Sequence, residues 1–147
     1  MKKKMMASLL ACAMMSMTAI SAESTTITTK VPSSYNLTIP SEQDIKFGTV
    51  TTKLSPLYVT GNLAQGEKIV VSVEKTEFKN ERGDTIAYAL NAGDKAFNGD
   101  EWKENEVGSD PKKVDLSIII DEDTWSSAKA GNYSTTISFK AEFGGAK

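Results

Sequence analysis

Histidine is absent from the 147 residues, and cysteine occurs once, at Cys12. Without an imidazole there is no Ser–His or Cys–His nucleophile pair, and the usual zinc ligand sets are missing with it. No cysteine follows residue 12, so no disulfide can staple the rest of the chain. After Ile20 there is no second long apolar run, so no membrane span is expected, and Phe143–Lys147 carries no sorting signal or tail anchor. Nor does any stretch sustain helical periodicity, which excludes a helical bundle. An enzyme is not expected. The acidic pair that glycoside hydrolysis needs is possible in principle, yet the Asp and Glu residues cluster in turns and on wet strand faces.

What is present begins with export. Lys2, Lys3 and Lys4 form a basic start, an apolar run extends from Met5 to about Ile20, and Ile20-Ser21-Ala22 offers a small-residue cleavage site. The run is short and holds Ser8, Ser16 and Thr18, so it fits a cleaved signal peptide over 1–22 better than a membrane anchor. Leu9-Leu10-Ala11-Cys12 resembles a lipoprotein cleavage box, but the apolar run continues past it through Met14, Met15 and Met17. Removing the three lysines takes the formal charge from −2 to −5 and leaves residues 23–147 as one domain. That acidity argues against nucleic acid or an anionic membrane as partner. The expected location is secreted or associated with a cell surface, in a bacterium.

Period-two alternation dominates the mature chain. Tyr133, Thr135, Ile137, Phe139, Ala141 and Phe143 fall on one face of a predicted strand, with Ser134, Thr136, Ser138, Lys140 and Glu142 on the other. Val114–Ile120 and Ile69–Val73 alternate in the same way. Weaker strands are predicted over Thr25–Val31, Tyr35–Ile39, Asp44–Val50, Leu57–Thr60 and Thr85–Leu90. Turn chemistry at Gly61-Asn62, Gln65-Gly66, Arg82-Gly83-Asp84 and Ala130-Gly131-Asn132 separates them. Pro32, Pro40 and Pro56 sit at strand ends. About eight short strands predict an all-β, Greek-key, immunoglobulin-like sandwich of seven to nine strands. Asn91–Pro111 is polar and holds three glycines, and it is expected to be a long excursion between strands. The acidic start of Asp121–Ala128, stopped by Gly131, predicts one helical turn. The predicted core includes Ile69, Val71, Leu116, Ile118, Tyr133, Ile137 and Phe139.

The run W-S-S-A-K-A-G-N-Y-S-T-T-I-S-F over residues 125–139 resembles the tyrosine-corner region of Greek-key sandwiches. The resemblance makes Tyr133 a structural tyrosine, bonding back to upstream backbone where the chain crosses between sheets. The same segment resembles the last strand of bacterial surface and fimbrial-type domains. Val31–Pro40 with Ile45-Lys46-Phe47-Gly48 is similar to the opening of small secreted proteins of Gram-positive bacteria, among them relatives of the WxL surface-domain group. A Trp-x-Leu motif is absent, since Trp102 is followed by Lys-Glu and Trp125 by Ser-Ser. Together these likenesses imply a sandwich fold and a surface location.

The remaining motifs carry little chemistry. Asp94–Glu101 begins like an oxygen-ligand loop but puts Ala96 at the third position and Asn105 at the twelfth, so it fails the EF-hand pattern. Asp121–Asp123 reads as a charged helix start. No metal site and no cofactor are therefore expected. Arg82-Gly83-Asp84 matches an integrin-ligand tripeptide, although Gly-Asp is ordinary turn chemistry. Asn36-Leu37-Thr38 and Asn132-Tyr133-Ser134 match glycosylation sequons by coincidence. Trp102 and Tyr58 are the candidate ligand contacts, with the alternative for Trp102 that it plugs one end of the sandwich. Trp125 is expected in the core.

The expected function is a structural or adhesion-type module meeting a protein or glycan partner through loops or strand edges. The alternatives are a pilin-like fibre subunit that self-associates by exchanging the Thr25–Val31 strand at a sheet edge, and a carbohydrate-binding module.

Overall fold

The computed structural model describes residues 24–145; the expected signal peptide and Cys12 lie outside the described residues. The chain divides into residues 1–30 and a compact unit from Val31 onward. In the first, Ser24–Lys30 forms neither helix nor strand and is exposed. Thr25–Val31 is thus not a strand, contrary to expectation. Its apolar residues are Ile27, 90% exposed, and Val31, 72% exposed, and two such side chains bury too little to fix a strand alone.

The compact unit is all-β and sandwich-like. Its strands are β1 (Ser34–Thr38), β2 (Thr51–Lys53), β3 (Leu57–Asn62), β4 (Glu67–Lys75), β5 (Phe78–Lys79), β6 (Thr85–Ile86), β7 (Ala89–Ala92), β8 (Lys95–Ala96), β9 (Gly99–Lys103), β10 (Lys113–Val114), β11 (Leu116–Ile119) and β12 (Ile137–Gly145). One helix, α1 (Glu122–Ser127), follows β11. Every pairing is antiparallel.

Two layers result. In the first, β1 pairs with β3 and β3 with β10, while β2 pairs with β11, β11 with β7, and β7 with β8. Pro56 interrupts what is otherwise one strand from β2 to β3, because proline has no N–H to give the ladder. Pairing resumes across the gap, where the Leu54 N–H donates to the Leu116 carbonyl at 2.9 Å. The register moves from Lys113 opposite Tyr58 to Ser117 opposite Lys53, so one extra residue bulges on the β2–β3 side. The second layer is β12–β4–β9, lengthened by the β5–β6 pair and by a bridge between Lys79 and Ser134. Chain crossings between layers, including the one through α1, follow the logic of Greek-key sandwiches.

Both layers turn their apolar faces into one core. Leu57, Val59, Leu90, Leu116 and Ile118 come from the first; Ile69, Val71, Ile86 and Trp102 from the second. Each buried aliphatic or aromatic side chain contributes roughly 1.5–3 kcal/mol relative to exposure. Two glycines allow close strand approach. A Cβ on Gly61 would collide with the Ser34 carbonyl of β1, and one on Gly99 with the Val71 carbonyl of β4, where φ is also +134°.

Three expectations need correction. Asn91–Pro111 is not a long excursion but holds β8, β9 and a 3-10 turn over Glu104–Glu106. Phe97, Trp102 and Val107 anchor it in the core, at 5% exposure or less. Asp44–Val50 is not a strand: it turns at Lys46–Thr49 and leaves Phe47 79% exposed. Thr85–Leu90 is two strands, because β6 pairs with β5 in one layer and β7 with β11 in the other, so the chain changes layer at Ala87-Tyr88.

Candidate binding cleft

The sandwich does not close along one side. β12 ends its sheet, with β4 on one edge and, among the described residues, no strand on the other. Among the described residues β2 pairs only with β11, because β1 lies against β3 and the chain leaves the sheet after Thr38. Between these two edges lies a cleft of about 1040 Å³. One wall is the segment from Ile39 to Phe47, and the other runs from Ala128 to Thr136. Half-buried Leu54, Ile137 and Phe139 form its apolar floor, with the buried Ile86, Ile118 and Ile120 beneath them.

Local chemistry sets the second wall. Trp125 on α1 donates its indole N–H to the Thr49 carbonyl at 3.0 Å, and Phe47 packs edge-on against its ring at 5.4 Å. Trp125 is half-buried against the core. Beyond α1 the chain is pinned from the β5–β6 turn. Arg82 donates to the Ala130 carbonyl, and Lys129 Nζ meets Asp84 Oδ1 at 2.8 Å. Asn80, 8% exposed, donates to Asp84 Oδ2 at 2.9 Å and accepts from the N–H groups of Arg82 and Asp84. Hydrogen bonds from Lys129 and Asn80 hold the Asp84 carboxyl below its usual range. Asp84 is thereby committed inside the fold, which removes the acid that an Arg-Gly-Asp ligand would have to present.

Tyr133 donates its hydroxyl to the Lys129 carbonyl at 2.9 Å, four residues upstream. This is the hydrogen bond a tyrosine corner requires. Ser134 gives both its N–H and its C=O to Lys79, at 3.1 and 2.9 Å. In extended chain, neighbouring residues aim their backbone groups at opposite edges. Tyr133 and Thr135 therefore direct theirs away from β5, and among the described residues neither has a backbone partner.

The two candidate contact residues are not brought together. Trp102 is fully buried on β9, its indole N–H on the Lys112 carbonyl at 2.7 Å and Lys112 Nζ over its ring at 4.9 Å. A residue so enclosed cannot touch a surface ligand, so Trp102 is corrected from contact to core. Tyr58 lies half-buried on β3 between Leu57 and Val59, which face the core, with Lys113 Nζ 5.8 Å from its ring. No aromatic platform joins them. Sequence reasoning missed the cleft because its walls are irregular segments; the isolated aromatic in Lys46-Phe47-Gly48 and Tyr133 are its local signals.

A second, shallower groove of about 640 Å³ crosses the outer face of β4 and β9. Lys112 meets Asp100 within it at 2.8 Å, and its Glu101 is taken by Lys68 at 2.7 Å.

No protein-family model matches the chain, and no curated protein does.

Proposed function

We propose that this chain is a secreted or cell-surface-associated β-sandwich module of structural or adhesion type, without catalytic activity, whose working part is the cleft. The observation that carries this reading is the pairing of an apolar floor with an unpaired backbone edge at Tyr133 and Thr135. A volume of about 1040 Å³ is at or above the range of roughly 300–1,000 Å³ usual for small-molecule sites. Aliphatic floor residues suit aliphatic side chains, and a free edge suits an added strand. The occupant that fits both is an extended polypeptide. A carbohydrate-binding module is supported less well, because sugar rings stack on exposed aromatic faces and Trp102 offers none.

Two measurements test this. Mass spectrometry of the exported protein should find the mature chain starting near Glu23, and cell fractionation should find it outside the cytoplasm. Amide chemical shifts of residues 39–47 and 128–136 should move on titration with an extended peptide carrying alternate Ile and Thr. Shifts produced by cell-wall oligosaccharides instead would replace the peptide reading with the carbohydrate one.

A further inference from the structure

We propose that the occupant of the cleft is a short, basic, extended peptide of a partner protein, lying along Tyr133–Phe139 with Lys or Arg turned to Glu42 and Asp44. The inference rests on the cleft being a binding site for extended peptide, and it goes further by fixing the charge and the length of that peptide.

Length follows from the outer edge of β12. By the alternation that turns Ser134 to Lys79, the odd-numbered residues from Tyr133 onward aim their backbone groups at that edge. Tyr133, Thr135, Ile137 and Phe139 all line the cleft. At Ala141 the edge closes. The hydroxyl of Tyr35, on β1, donates to the Ala141 carbonyl at 2.9 Å, and the Tyr35 ring packs edge-on against Phe143 at 4.9 Å. A strand added along the cleft is therefore stopped after about seven residues, or roughly 23 Å.

Charge follows from the walls. Glu42 and Asp44 line the cleft and are exposed, and among the described residues neither has an ion-pair partner. Lys129 is the one cation among the described lining residues, and Asp84 holds it at 2.8 Å. The uncompensated charge of the cleft is thus negative. In an extended peptide successive side chains alternate between faces. Aliphatic residues at every second position meet Leu54, Ile137 and Phe139, and basic residues between them meet the acidic rim. An acidic peptide of the same shape is repelled there, which gives the cleft selectivity as well as affinity.

The test compares two peptides on the isotope-labelled exported chain: Val-Lys-Val-Lys-Val-Lys-Val, and the same peptide with Glu in place of Lys. With the lysine peptide, the amides of Tyr133, Thr135, Ile137 and Phe139 should gain protection from exchange, while that of Phe143 should not change. At low salt the lysine peptide should bind roughly tenfold tighter or more, and the margin should shrink as salt rises. The double variant E42Q/D44N should abolish that margin. Both residues are exposed and unpaired among the described residues, so the fold is kept, and circular dichroism checks this. Lengthening the peptide by two further Val-Lys pairs should gain less than about twofold, because Tyr35 holds the edge shut.

Equal binding of the two peptides overturns the proposal, as does a margin untouched by E42Q/D44N. Amides of 133–139 that are protected without peptide overturn it too. Protection at every protein concentration would give the cleft to the chain itself, and protection that grows with concentration would give it to a second copy. These failures remain distinct from failure of the cleft. If a neutral peptide of alternate Ile and Thr shifts the same amides, the cleft stands and only the charge of its occupant is wrong; if no peptide does, the binding-cleft reading falls with it.

Discussion

The hydroxyl of Tyr133 and the carbonyl of Lys129 lie 2.9 Å apart, and that bond sets the path by which the chain leaves α1 and enters the second layer. The same five-residue segment, 129–133, carries the Lys129–Asp84 ion pair and the Arg82 contact to Ala130, so it is held from two directions. It is also the wall of the cleft. Shaping of the cleft and closure of the sandwich are therefore one problem solved by one set of contacts.

Tyr133→Phe isolates the first of these contacts. The ring keeps its packing and only the hydroxyl is lost. A hydrogen bond between neutral groups is worth about 0.5–1.5 kcal/mol, and an exposed carbonyl such as that of Lys129 recovers part of it from water. Urea denaturation should show a loss of about 1 kcal/mol or less with an unchanged slope. A loss above about 3 kcal/mol would mean that the ring, not the hydroxyl, had been disturbed.

Trp102→Ala should be far more damaging. The indole is fully buried, and its N–H satisfies the Lys112 carbonyl. Removing a buried tryptophan costs roughly 3–5 kcal/mol, a large part of the roughly 5–15 kcal/mol by which domains are stable. Trp102→Phe should fall between the two, since it refills much of the volume and orphans one carbonyl. Fluorescence provides the check: emission from Trp102 should be blue-shifted and poorly quenched by iodide, and a wet, readily quenched Trp102 would contradict the burial.

The position of Trp102 also marks how far the fold could be read from sequence. Long alternating strands were legible: Ile69–Val73, Leu116–Ile118 and Ile137–Phe139 pair where their apolar face demands. Burial of one face every second residue is a local signal, and five or more residues make it audible. Asn91–Pro111 was misread because its strands are two to five residues long and its core contacts, Phe97, Trp102 and Val107, are five residues apart. Neither strand nor helix periodicity registers such spacing. Asp44–Val50 failed in the other direction, since alternating composition without a partner strand is only a turn with an exposed Phe47. Of the cleft, only Phe47 and Tyr133 left a local signal in the sequence. Its two walls are 81 or more residues apart in sequence and meet because β1 and β12 end different layers.

Acid should act through Asp84 and Glu67. The Asp84 carboxyl is held below its ordinary value of 3.8 by Lys129 and Asn80, and Glu67 below 4.5 by Ser33 and the Ala64 N–H. Both therefore bind protons less readily folded than unfolded. Their contribution is fully present above the ordinary values and is lost as pH falls through the lower, folded ones. Urea midpoints should be flat from about pH 6 to 5 and drop below pH 4. The double variant D84N/E67Q should start lower at pH 6 and lose less on going to pH 3. An acid limb as steep as that of the unmodified chain would assign the loss to other carboxylates.

Gly61→Val tests the first layer at its outer edge. Gly61 pairs with Tyr35 of β1, and any Cβ there would run into the Ser34 carbonyl. The strand cannot move away without losing the Gly61 N–H bond to the Val107 carbonyl, 2.8 Å on its other side. Something must yield, and β1 is the lighter partner, held by β3 on one edge and by the Tyr35 hydroxyl on the Ala141 carbonyl at 2.9 Å. Hydrogen exchange should show the amides of Ser34–Thr38 losing protection by at least about tenfold, a penalty of roughly 1.4 kcal/mol or more. Those of β4 and β11 should remain nearly as slow as before. Uniform loss across all three strands would mean that β1 unfolds only with the whole sandwich; selective loss makes it a separable edge, attached to the core chiefly through Tyr35 and Leu37.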